Sequence, residues 1–140
     1  MFSDGMNRKV FVTSSWYDLA MSAPFALPIT QVFVWGQVLS PVSVLLGFGE
    51  LEPLDPHAGM FANFYGSIVM IWAVLRLYSG DVRLAIVDGI GRVLFAIAMV
   101  NALLHGATQL LWIFLVPEII FCVLQIGGGI ARRRSTPLGA

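Results

Sequence analysis

Four apolar runs, each close to the roughly twenty residues that cross a hydrocarbon layer as a helix, set the terms for everything else in this chain. They cover about 28–48, 60–78, 84–105 and 107–126, and tight turns separate the last three. With 58% hydrophobic and 11% charged residues, the chain is too apolar for a soluble domain, in which about a quarter of residues carry charge. The expectation is an all-α fold: a single integral-membrane domain over 1–140, built as a four-transmembrane-helix bundle and preceded by a short interfacial helix over about 15–23.

Local signals place the ends of these runs. Ser15-Trp16-Tyr17-Asp18 has the spacing of a capping box with Asp in place of Glu, and Trp16 and Tyr17 are residue types that anchor at headgroup level. Pro24 and Pro28 then interrupt the chain, and Pro41 predicts a kink in the first membrane helix, because its ring removes a hydrogen bond and crowds the preceding turn. Between Gly49 and Gly59 lies the one long polar connection, with Glu50, Glu52, Asp55 and His57. Its prolines impose no ligand geometry, so it reads as a solvated acidic loop rather than a cation site. Ser79-Gly80-Asp81 and Gly106 predict tight turns, and Gly127-Gly128-Gly129 predicts the end of the fourth helix.

Four crossings put both termini on one side. Arg8, Lys9, Arg83 and the Arg132–Arg134 cluster fall on that side, and the opposite loops contain no Lys or Arg. The positive-inside rule therefore predicts cytoplasmic termini, with the chain in a bacterial inner membrane and the acidic loop outside. Met1 to Val12 lacks the apolar core and cleavage site of a signal peptide, so the first membrane helix is expected to direct insertion.

Inside the third run, Asp88 and Arg92 stand four apart, on one helical face. Hydrocarbon penalises each such charge by roughly 2.5–3.5 kcal/mol on insertion scales, so both are expected to face protein and find partners. Counting about 1.5 Å per residue from the turns puts Arg92 level with Glu118, and Asp88 level with Arg76. The expected network runs Glu118, Arg92, Asp88, Arg76, and these four are the candidate catalytic residues. Glu118 would exchange protons and the arginines would hold an anion.

Neutral polar residues extend these faces as candidate ligand-binding positions. Cys122 and Gln125 follow Glu118 at helical spacing, and Trp72, Val69 and Tyr65 lie on the stripe above Arg76. Gln31 counts to the level of Arg76 and is expected to hydrogen-bond it. Asn101 and His105 form a second pair on another surface, with His105 at the helix end beside Gly106. The lone cysteine, Cys122, reads as a buried spectator.

Net charge is zero, which gives no general attraction to nucleic acid. The sequence carries no nucleotide, haem or metal motif, so no cofactor is expected. The pattern of Arg76 in Ala73-Val74-Leu75-Arg76, Gly91-Arg92 in the third run and Glu118 in the fourth is similar to small four-helix bacterial membrane proteins of the BphX-like and DoxX-like kind. It covers roughly residues 60 to 126. The resemblance implies a four-helix bundle and carries no catalytic assignment onto any residue.

Two functional readings stand. In one, the chain is an accessory or structural subunit whose partners are the bilayer and either other membrane subunits or copies of itself. In the other, it is a small membrane enzyme or binding protein that takes a hydrophobic small molecule and uses the Glu/Arg/Asp network for acid-base chemistry.

Overall fold

The computed structural model describes residues 4–135, with side chains over 5–130. The Arg132–Arg134 side chains, which the orientation argument draws on, lie outside the described residues. All regular secondary structure among the described residues is helical, with no strand. Four segments are long and apolar enough to cross a membrane: Pro28–Leu45, Pro56–Ser79, Leu84–Leu104 and Gln109–Ile130. We label the helices α1 (Asp4–Ser22), α2 (Pro28–Leu45), α3 (Pro56–Ser79), α4 (Leu84–Leu104) and α5 (Trp112–Ser135).

The chain divides into two compact units. The first comprises residues 1–14 and 80–140, and thus the start of α1 with α4 and α5. Gly106, at φ +88°, turns the chain after α4, and the Thr108 side chain accepts from the Leu110 N–H to open the 3₁₀ turn before α5. The two helices pack through small residues, which let backbones approach in the absence of any hydrophobic preference over lipid. A Cβ added at Gly89 would lie 2.7 Å from Ile126 Cγ1, and one at Gly129 would collide with Ile86. These contacts correct the expected helix end at Gly127–Gly129. The glycines weaken a helix by about 1 kcal/mol each relative to alanine, yet α5 runs on to Ser135, and the absent side chains make room for Ile86 and for Asn7 of α1.

The second unit, residues 15–79, holds the rest of α1 with α2 and α3. The helix expected over 15–23 is only the last part of α1, and Ser15 and Asp18 lie buried inside it rather than at its N-terminus. Trp16 points outward, 58% exposed, as an anchor would. Pro41 is accommodated by a widened π turn over Trp35–Leu39, in which the Ser40 N–H reaches the Trp35 carbonyl five residues back.

The stagger of α2 on α3 follows from the loop between them. Trp35 Nε1 donates to the Glu52 carbonyl at 2.9 Å, and the Leu51 N–H donates to Ser40 Oγ at 3.0 Å, so the acidic loop folds back along α2. Asp55 caps α3, accepting from the His57 and Ala58 N–H groups, and Pro56 occupies the first helical position, where its missing donor costs nothing. Pro56 to Gly59, expected in the loop, therefore lie in the helix. Gly66 meets the backbone of Phe25 and Ala26, which fixes the start of α2 against the second and third turns of α3.

Candidate functional site

Polar side chains make up most of what is buried among the described residues, and apolar ones face outward. In the first unit the centre is Arg92, 2% exposed. Its Nε donates to Asp88 Oδ2 at 3.1 Å along α4, and its Nη1 donates to Glu118 Oε2 of α5 at 2.8 Å. Phe121 lies against the guanidinium face, 5.1 Å from its carbon to the ring centroid, a cation–π distance. Level counting thus finds its pair: Arg92 and Glu118 meet as the turn at Gly106 predicts. One guanidinium holds two carboxylates, and each charge-assisted bond offsets part of the desolvation of its partner.

The residues that follow Glu118 extend this cluster. Cys122 Sγ donates to the Gly89 carbonyl at 3.5 Å. Gln125 Nε2 donates to Ser14 Oγ at 2.7 Å, and Ser14 Oγ donates in turn to the Phe11 carbonyl. Beside Gln125, Asn7, Val10 and Gly128 border a cavity of about 20 Å³, room for one water molecule. Asn101 and His105 sit together but exposed, at the far end of α4. His105 Nδ1 lies 2.8 Å from the Asn101 carbonyl, so the ring closes the helix end.

Arg76 belongs to the second unit and is fully buried there. Its carboxylate partner in that unit is Asp18 of α1, which accepts from Nη2. Trp72 stacks over the guanidinium at 5.8 Å, while Tyr65, on the same stripe, is exposed. Sequence reasoning missed Asp18 because Ser15-x-x-Asp18 also fits a cap. The signal that would have found it is the spacing of Asn7, Ser14, Asp18 and Ser22, all buried on one stripe of α1.

Gln31 does not pair with Arg76. Its Oε1 accepts from Asn63 Nδ2 at 2.9 Å, and Asn63 lies thirteen positions before Arg76, about 20 Å along α3. The level count failed because it placed α2 as if its start matched the end of α3. Asn63 Nδ2 also donates to the Phe25 carbonyl at 2.9 Å, so the two amides and the chain before α2 form one polar knot.

These two clusters hold charge without exposing it, and each bonds its ionised groups across helices. No protein-family model, no curated protein and no solved structure matches the chain.

Proposed function

We propose that this protein is a non-catalytic membrane subunit, working as a homo-oligomer or as an accessory chain of a larger membrane assembly. The observation that carries the reading is the engagement of Arg92 with both Asp88 and Glu118, which consumes the charges in holding α4 to α5. Bonded through Oε2 to a buried guanidinium at 2.8 Å, Glu118 serves as a specificity device between helices that lipid alone would not distinguish. The same reading has the four apolar helices assemble into one bundle, as the sequence resemblance to small BphX-like and DoxX-like proteins implies. The basic residues on the side of the termini support cytoplasmic termini in a bacterial inner membrane.

Extraction in native lipid discs followed by mass spectrometry tests the reading. The expected mass exceeds that of one chain, as a multiple of it or with a second polypeptide. A single chain at every protein concentration overturns it.

A further inference from the structure

In the second unit, α2, α3 and the loop between them border an open cleft of about 760 Å³, within the range of small-molecule sites. Its position follows from the stagger of α2 on α3, and its walls are apolar: Val32, Trp35, Leu54, Met60 and Phe64. The π turn that begins at Trp35 brings Trp35 and Gly36 to this surface. Local departures of this kind in a helix often mark functional positions.

The polar floor is the knot of Gln31 and Asn63. Because the Phe25 carbonyl can only accept, Asn63 must present its NH₂ there, and the same group then donates to Gln31 Oε1. Both donors of Asn63 are used. Gln31 Nε2, on a side chain 4% exposed, is left with donors for which the described residues provide no acceptor, and Asn63 Oδ1 is left as an acceptor. Gly59 lies next to this amide: a Cβ there would stand 3.5 Å from Gln31 Nε2. The floor thus offers one donor and one acceptor side by side between apolar walls. The charged lining is a single carboxylate, Asp55, with no Lys, Arg or His, which disfavours a phosphate headgroup.

We propose that this cleft binds a neutral single-chain amphiphile of the monoacylglycerol type, whose head group accepts a hydrogen bond from Gln31 and donates one to Asn63 while its chain lies along Trp35 and Phe64. The inference goes beyond the subunit reading and does not depend on it.

The test uses the full chain with Trp16→Phe, Trp72→Phe and Trp112→Phe, so that Trp35 alone reports. The protein is placed in phosphatidylcholine vesicles containing either a dibrominated monoacylglycerol or the equally brominated phosphatidylcholine at the same mole fraction. Quenching of Trp35 by the monoacylglycerol is expected to be several-fold greater, and a brominated methyl ester, which accepts but cannot donate, should fall between the two. Gly59→Leu, which fills the floor, should bring the monoacylglycerol down to the phosphatidylcholine level. Gln31→Met, which removes the donor, should do the same and carries the comparison if circular dichroism shows that Gly59→Leu is unfolded. Equal quenching by the two lipids in the otherwise unaltered protein overturns the proposal, as does preferential quenching that survives in a folded Gly59→Leu or Gln31→Met chain.

Discussion

Arg92 Nη1 and Glu118 Oε2, on successive helices long and apolar enough to cross a membrane, meet at 2.8 Å while Nε of the same guanidinium holds Asp88 at 3.1 Å. The arginine is therefore the shared member of the cluster, and the three positions are unequal. Arg92→Met removes the shared partner of two buried carboxylates and should cost about 3–5 kcal/mol of stability, the range for breaking a buried pair. Glu118→Gln should cost less, since an amide oxygen still accepts from Nη1 and Asp88 still balances the charge. The double variant should lose less than the sum, by about 0.5–3 kcal/mol, and thermal unfolding in bicelles measures all three. Additive losses would show that the two residues do not act on one another.

Glycine positions in α4 separate just as clearly. Gly89→Leu should disrupt packing of the helix pair, because its first side-chain atom already lies 2.7 Å from Ile126 Cγ1. Overpacking of this kind costs typically 1–3 kcal/mol, and more where backbone must move. A Cβ at Gly91 meets nothing within 4 Å, so Gly91→Leu should change the melting temperature little. Matched melts of the two variants in the same detergent decide it; equal losses would mean that Gly91 too is packed against protein.

What the sequence reveals here depends on how local the signal is. Apolar runs and turn glycines are local, so four segments long and apolar enough to cross a membrane can be read from them, and the Arg92–Glu118 contact follows from counting back from one short turn. Gln31 illustrates the failure. Counting from the helix start misplaces its level, because the stagger of α2 is set by Trp35 bonding the Glu52 carbonyl and by Ser40 bonding Leu51, tertiary contacts that no spacing announces. The glycines of α5 show a third case. A Gly-Gly-Gly run normally ends a helix, and here the room it leaves for Asn7 and Ile86 outweighs the propensity.

Orientation can be read with two single-cysteine chains in which Cys122 is replaced by alanine. Cysteine at Glu52, an exposed position in the acidic loop, should react with an impermeant thiol reagent added to intact cells. Cysteine at Ser135 should react only after the cells are opened. Both substitutions leave the Lys and Arg residues untouched, so the charges that direct insertion are unchanged. The reverse labelling would invert the proposed topology.

Asp18 distinguishes a surface cap from a buried counter-charge. Were it the acidic member of an interfacial capping box opened by Ser15, Asp18→Asn would keep a side-chain oxygen to accept from the Ser15 N–H and should cost only about a few tenths of a kcal/mol. Buried on α1 and bonded to a fully buried Arg76, it instead offsets the desolvation of a guanidinium, so Asp18→Asn should cost on the order of 2–4 kcal/mol, a little below the range for stranding a buried charge because the amide oxygen still accepts a hydrogen bond. Asp18→Glu retains the charge but adds a methylene to a packed site and should recover only part of the loss. Pairing Asp18→Asn with Arg76→Gln removes the positive charge as well, and the double variant should be more stable than the sum of the single losses allows. Thermal unfolding of the parent, Asp18→Asn, Arg76→Gln and the double variant in one lipid mixture gives the coupling directly; a negligible cost for Asp18→Asn would return the residue to the surface of the helix and leave Arg76 to be balanced by other groups.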